Sequence, residues 1–433
     1  MLRALFSGRL ARGGRLFRRA QSTKHTPITT MGANESKSEL MPPRPEYVTE
    51  LHTFDPAQNP IFPSFRMMNE QGQLLNTKRE LALTNDDILD MYKKMVEIHA
   101  IDIIFMQAQR HGRVSFHMQN AGEEGLQIGS AAALKPQDHI FSQYRELGVF
   151  LHRGFDVRQM AHQCFSTEQD FGKGRQMPIH FGSKALNMHT ISSPLATQLP
   201  QAAGLAYAMK RRKEDAVTVC YFGDGAASEG DFHAALNFAA TLECPVIFFC
   251  RNNGWAISTP SYEQFRGDGI LSRVSGYGMC GIRVDGNDMF AVYEATKAAR
   301  EYCAAKNQPI LVEAMSYRRG HHSSSDDSTT YRPKSELEWW QENDDPLTRV
   351  RLYLEGQKRW DSDKELELRK TMKKKVIEAL STAEKAKKPP IEELFTDVYA
   401  ELPKRLQRQQ EELRAHLNKY ADEYNLDQYA DSE

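Results

Sequence analysis

Cysteine is scarce in this chain and nowhere closely paired. The six cysteines among 433 residues (Cys164, Cys220, Cys244, Cys250, Cys280 and Cys303) form no Cys-x-x-Cys pair. Cys220 and Cys250 sit inside the apolar runs AVTVCYF and PVIFFC. That usage argues against a zinc site or a disulfide framework and for buried thiols in a reducing compartment. No run of 18 apolar residues occurs, so no membrane span is expected. An excess of charge of one sign is also missing. The 56 Lys and Arg face 57 Asp and Glu, which leaves no basic field for nucleic acid. With 40% hydrophobic residues, the chain is too apolar for wholesale disorder and long enough for one large or two ordinary domains.

Acids are absent from the first 34 positions. Arg3, Arg9, Arg12, Arg15, Arg18, Arg19 and Lys24 precede Glu35, with Leu2, Leu5, Phe6, Leu10, Leu16 and Phe17 interleaved. An arginine-rich, acid-free, amphipathic start reads as a mitochondrial transit peptide over 1–34, pointing to the matrix. The alternative is a disordered basic tail. Residues 35–83, rich in Pro, Asn and Gln, read as an extended arm. At Thr84 the texture changes: Thr84 and Asp87 fit a capping-box variant, and Ile88, Met91, Met95, Ile98 and Phe105 recur at helical spacing to about Arg110. Short helical patterns follow between 120 and 165, broken by polar Ser142–Glu146.

The centre alternates strand and helix. Apolar runs at 216–222, 245–250, 281–284 and 309–315 are separated by turn residues and helical patterns. The expected fold is α/β, a parallel sheet covered by helices on both faces, over residues 84–334. A charged helical region is expected over 335–433, whose Lys/Glu runs read as a solvated face.

The chemistry concentrates in GDGAASEGDFHAALNFAATLECPVIFFCRNN, Gly223–Asn253. Asp224 follows one expected strand and Asn253 the next, so both emerge at the carboxyl edge, where open parallel sheets bind ligands. A carboxylate, a side-chain amide and backbone carbonyls are hard oxygen donors suited to magnesium. Gly223 and Gly225 let backbone approach phosphates, and the next helix start offers amides to an anion. A lone GDG is a common turn; GDG and NN separated by 26 residues across a strand-helix-strand unit is specific.

This segment resembles the diphosphate motif of thiamine diphosphate enzymes. From about residue 60 to its end, the chain is similar to the alpha subunits of branched-chain 2-oxo acid dehydrogenases. The resemblance implies a thiamine-diphosphate-binding fold, with Asp224, Asn253 and the Trp255 carbonyl as magnesium ligands. Relatives often carry Glu at the first position and Tyr at the third. It implies cofactor contacts at Gln143, Tyr144, Arg145, Ser193, Leu195, Gly225, Ala226, Arg251 and His322, and a catalytic role for His322. An arginine fork matches phosphate, and a histidine can donate hydrogen bonds or shuttle protons. Ser192, Pro194, Thr197 and Gln198 match a potassium loop, which the residues alone would give only as a helix N-terminus. Phe116 and Leu195 are expected to line an apolar acyl pocket, with core packing as the bland reading. Ser323, in the polar loop RRGHHSSSDD, matches a regulatory phosphorylation site; a second such serine of some relatives falls at Pro333.

The implied partners are a beta subunit in an α2β2 heterotetramer, a lipoyl acyltransferase core, and a regulatory kinase and phosphatase. The implied reaction is oxidative decarboxylation of branched-chain 2-oxo acids with acylation of a lipoyl group. The glutamate that activates the cofactor belongs to the beta subunit in that family. Two alternatives stay open: a pyruvate dehydrogenase alpha subunit, and a silent phosphate-binding or scaffold subunit.

Overall fold

The structure is a computed structural model that describes residues 61–78 and 80–431, together with 49–51, 53 and 55. The leader expected at 1–34 and the first part of the arm lie outside the described residues. The described residues group as one compact unit.

Helix α1 (Asn85–Arg110) begins as its sequence implies. Thr84 Oγ1 accepts from Asp87 N at 3.2 Å, and the Asp87 carboxylate accepts from Thr84 N at 2.9 Å. The pair satisfies amide groups that a helix start leaves bare. Next come α2 (Glu124–Ala132), β1 (His139–Phe141), α3 (Leu147–Arg153), α4 (Val157–Phe165) and α5 (Gln198–Arg212). The second half runs β2 (Thr218–Gly223), α6 (Gly230–Thr241), β3 (Val246–Asn252), β4 (Trp255–Ala256), β5 (Thr259–Pro260), α7 (Ser261–Gln264), β6 (Cys280–Asp285), α8 (Met289–Lys306) and β7 (Ile310–Met315). After β7 the regular elements are helical: α9 (Lys334–Asn343), α10 (Pro346–Gly356), α11 (Ser362–Lys385) and α12 (Lys404–Lys419).

The sheet has the order β1-β2-β3-β7-β6 with every pair parallel. The four apolar runs are its four longer strands. The alternating pleat sends Cys220, Phe222, Phe248 and Cys250 into a core with Leu199, Phe232 and Leu236 from α5 and α6. Tyr221 points the other way and donates to Ser130 Oγ on α2 at 3.0 Å. Strand β1 escapes sequence reading because three residues, one half-buried, give no periodicity. The cysteines are all free thiols, and only Cys280 is partly exposed. No described helix is long and apolar enough to cross a membrane.

One acid in a buried strand ties the sheet to its loops. Glu313, on β7, is fully buried. It accepts from Asn252 Nδ2 at 2.9 Å, Ile270 N at 2.7 Å, Leu271 N at 3.0 Å, and Arg283 Nε and Nη2 at 3.0 and 2.9 Å. Arg283 also pairs with Asp268 Oδ1 at 2.7 Å, so removing Glu313 chiefly leaves the Ile270 and Leu271 amides and the Asn252 side chain without an acceptor, at about 1–3 kcal/mol for each buried group. Glu313→Ala should lower the urea midpoint of unfolding accordingly; a midpoint equal to the parent's would refute this account.

Candidate cofactor site

Strands β2 and β3 run side by side with Gly223 opposite Arg251. Asp224 and Asn253 therefore leave the sheet next to each other at its carboxyl edge, as the spacing implies. Strand β1 delivers Gln143, Tyr144 and Arg145 to the same edge, and β7 delivers the 316–332 loop. A cavity of about 350 Å³ lies over these ends. Of the expected site residues, Gln143, Tyr144, Arg145, Leu195, Asp224, Gly225, Ala226, Arg251, Asn253, Trp255 and His322 line it. Ser192, Ser193, Pro194, Thr197, Gln198, Phe116 and Ser323 are outside the lining.

The floor is a buried ionic cluster. Arg251 donates through Nε to Glu146 and through Nη1 to Glu123 Oε2 at 2.9 Å. Burial disfavours the guanidinium charge, but the two carboxylates outweigh it and hold the arginine pKa above its usual value. Burial raises the Glu146 carboxyl, with Arg251 opposing. The other Glu123 oxygen accepts from Asn253 Nδ2 at 2.7 Å. That fixes the amide so its oxygen, which accepts from Trp255 N at 3.2 Å, is the side-chain atom offered to a cation. Gly225 is needed for fit: a Cβ there would meet the Ala256 Cβ at 2.8 Å.

Asp224 is 2% exposed and accepts from Gln264 Nε2 at 2.9 Å. Burial raises its carboxyl, with Gln264 opposing, and no ion pair to it forms among the described residues. A buried carboxylate beside an amide oxygen that accepts only one hydrogen bond fits a divalent cation, because the ion would supply the missing countercharge. The Trp255 carbonyl accepts from Arg318 Nη1 at 3.1 Å, so this third oxygen is shared.

His322 sits between two cations. Its Nδ1 lies 3.4 Å from Arg145 Nη2 and 3.3 Å from Arg318 Nη1, and its carbonyl accepts from Arg145 Nη2 at 2.8 Å. Arginine can only donate, so Nδ1 carries the lone pair and Nε2 the proton. Burial and both arginines push the ring pKa down to about 3. His321 is half-buried and accepts at Nδ1 from Ser328 N at 3.0 Å. Asp326 accepts from His322 N at 2.7 Å and from Tyr331 OH at 2.6 Å. The Arg332 guanidinium lies over the rings of Trp255, Tyr317 and Tyr331 and donates to the Arg318 and Gly320 carbonyls.

The Ser192–Gln198 loop runs beside the cavity and reaches it only through Leu195. Gln198 Oε1 is buried with no hydrogen-bond partner among the described residues, while Nε2 donates to the Tyr221 carbonyl at 3.0 Å. An orphaned acceptor oxygen fits a monovalent cation. Phe116 is half-buried away from the cavity, and Ser323 is partly exposed at the loop tip. Sequence reading missed Glu123, Glu146, Gln264 and Arg318. The signal for two of them was present: acids inside the apolar stretch AGEEGLQIGSAAAL and directly after Arg145. In the ligand-free chain His322 should stay uncharged from pH 8 down to 5, so its Cε1–H resonance should not shift over that range in histidine-labelled NMR spectra. A transition near pH 6.5 would contradict the two-arginine geometry.

The family described as Dehydrogenase E1 component matches residues 92–392. A Mus musculus protein named 2-oxoisovalerate dehydrogenase subunit alpha, mitochondrial is 52% identical over 384 residues, covering 89% of this chain and 87% of its own. The Homo sapiens protein of that name is also 52% identical, covering 89% and 86%. An Arabidopsis thaliana relative, subunit alpha 2, is 47% identical over 381 residues, covering 88% and 81%. The chain belongs to the dehydrogenase E1 component family, whose fold binds thiamine diphosphate.

Proposed function

We propose that this chain is the alpha subunit of a mitochondrial dehydrogenase that decarboxylates branched-chain 2-oxo acids and acylates a lipoyl group. The observation that carries the reading is the convergence of Asp224, Asn253, Arg145, Arg251 and His322 on one cavity at the β2–β3 edge. The chain would carry a leader at 1–34, an arm at 35–83, the cofactor domain at 84–334 and a helical region at 335–433, and work in the matrix. Its relatives are named mitochondrial 2-oxoisovalerate dehydrogenase alpha subunits, which favours this substrate class over pyruvate.

Thiamine diphosphate, when bound, supplies a carbon nucleophile and an electron sink for loss of carbon dioxide. Asp224, the Asn253 amide oxygen and the Trp255 carbonyl would hold magnesium. The Ser192, Pro194, Thr197 and Gln198 oxygens would hold potassium. Arg145 and the His322 Nε2–H would bind phosphate oxygens. Arg251 is largely spent on Glu123 and Glu146, so its contribution is through Nη2 and its field. Gln143, Tyr144, Ser193, Leu195, Gly225 and Ala226 would contact the cofactor. Gln143 Oε1 already fixes Gly223 N at 2.9 Å. Leu195 would wall the acyl pocket; the placement of Phe116 outside the lining weakens its claim.

A beta subunit in an α2β2 heterotetramer would supply the activating carboxylate, and a lipoyl acyltransferase core would take the acyl group. The purified alpha chain should release no carbon dioxide from 2-oxoisovalerate, and activity should appear when the beta subunit is added. Substantial turnover by the isolated chain would overturn the two-subunit reading.

Regulation by a kinase and a phosphatase would act at Ser323. Phosphate there adds roughly −1.5 to −2 charges beside Asp326 and Asp327. The repulsion opposes the Asp326 bonds that close the loop. Arg318 and Arg332 are buried, at 1% and 2% exposure, and trypsin reaches them only if the loop opens. Phosphorylation should speed cleavage at both at least about tenfold while activity falls, whereas Ser323→Ala tetramer should resist the kinase. Full inactivation of that variant by kinase treatment would mean that Ser323 is not the switch.

A further inference from the structure

A hairpin-like segment between α4 and α5 carries an organised group that the proposed cofactor contacts do not explain. Ser183 and Met188 exchange two backbone hydrogen bonds at 2.8 and 2.9 Å, and Ile191 N donates to the Phe181 carbonyl at 3.0 Å. The far limb is fixed to β1, where Ile140 N donates to Asn187 O and His189 N to Ile140 O, both at 2.9 Å. This register brings His180 across from Ser193, and His180 Nε2 hydrogen-bonds Ser193 Oγ.

The ring's other nitrogen settles the direction of that bond. His180 Nδ1 lies 3.0 Å from the Pro178 carbonyl, which can only accept. In the neutral imidazole Nδ1 therefore carries the proton and Nε2 accepts from the Ser193 hydroxyl. The backbone is bent to make this contact. Ile179, between the carbonyl and the ring, has φ +67°, a left-handed conformation that β-branched residues rarely adopt. Gln163 holds it there: Oε1 accepts from Ile179 N at 2.8 Å and Nε2 donates to Met177 O at 2.6 Å. Strain of this kind survives where surrounding bonds over-determine it, and it clusters at functional sites.

We infer that His180 is a positioning residue that fixes Ser193 as a hydrogen-bond acceptor toward the bound cofactor. With its proton committed to His180, the exposed Ser193 oxygen presents only lone pairs outward. A donor on the cofactor, such as an amino group, is then favoured and an acceptor is repelled. His180 is buried and also lines a separate cavity of about 780 Å³, so it acts through Ser193. The inference rests on the proposed Ser193–cofactor contact and adds the residue that sets its polarity.

The test is calorimetric titration of thiamine diphosphate with magnesium into the assembled αβ tetramer, with melting temperature as the control for folding. A neutral hydrogen bond of ordinary strength corresponds to about a fivefold change in affinity. His180→Phe and Ser193→Ala should each weaken binding about fivefold, and the double variant should be no worse than either alone. His180→Gln, which keeps an acceptor near the Nε2 position, should recover most of the loss; a purely structural role would not give that rescue. If His180→Phe fails to assemble, His180→Leu, which also lacks an acceptor, takes its place in the cycle. Parent-like affinity in His180→Phe with weakened Ser193→Ala overturns the inference alone, as do additive losses in the double variant. Parent-like affinity in Ser193→Ala, with binding abolished in Asp224→Ala, removes Ser193 from the cofactor site and the inference with it. Parent-like affinity in Asp224→Ala as well would reject the site itself.

Discussion

Arg251, held between Glu123 and Glu146, is the interaction on which the cofactor edge depends. Taking one guanidinium and two carboxylates out of water costs several kcal/mol per ion unless they meet each other closely. They do so here only because β3 ends beside β2 in parallel register, with Gly223 opposite Arg251. Glu123 then reaches Asn253, two residues past Arg251 and just beyond the end of β3, and turns its amide. One buried cluster thus joins the loop before α2, the loop after β1 and the end of β3. Had it been assembled from surface ion pairs, screening would leave each pair worth at most about 1 kcal/mol and the geometry loose.

The sheet was legible because β2, β3, β6 and β7 are apolar runs with sharp turns at their ends. The α1 start was legible because Thr84 and Asp87 are a local signal. Asp224 and Asn253 could be placed together from spacing alone, since a parallel strand-helix-strand unit returns to the same edge. Glu123, Glu146 and Glu313 could not be placed that way. Acids are seldom fully buried unless paired, and their arginine partners lie far along the sequence. Strand β1 is too short to show a period, although it decides where Tyr144 and Arg145 stand. The Ser192–Gln198 segment is short, small and polar, without a period, so its place beside the cavity follows only from the fold.

The site is built from loops, but each loop is fixed to a rigid strand end, which is where parallel sheets commonly place binding groups. Leu195 belongs to a segment tied to β1, while His322 belongs to a segment tied to β7. They meet across a cavity whose floor is the β2–β3 cluster. The β7 loop is held by the polar contacts of Asp326, Tyr331 and Arg332, by Arg145 on the His322 carbonyl, and by the burial of Tyr317, Arg318 and Ser328.

The charge balance of that loop explains why an anion and loop closure should favour each other. Arg318 is buried, forms no ion pair among the described residues, and has its pKa pulled down to about 10 by burial and by Arg145. A guanidinium so placed is destabilised relative to water and gains from any anion brought into the cavity. Arg318 and His322 belong to the loop and line the cavity, so this loop conformation is more favourable with a diphosphate present than without it. Reciprocity follows from linkage: whatever opens the loop must weaken the anion, by the same factor that the anion strengthens closure. The unpaired arginine is therefore a cost to the empty fold and the source of the coupling between loop and site.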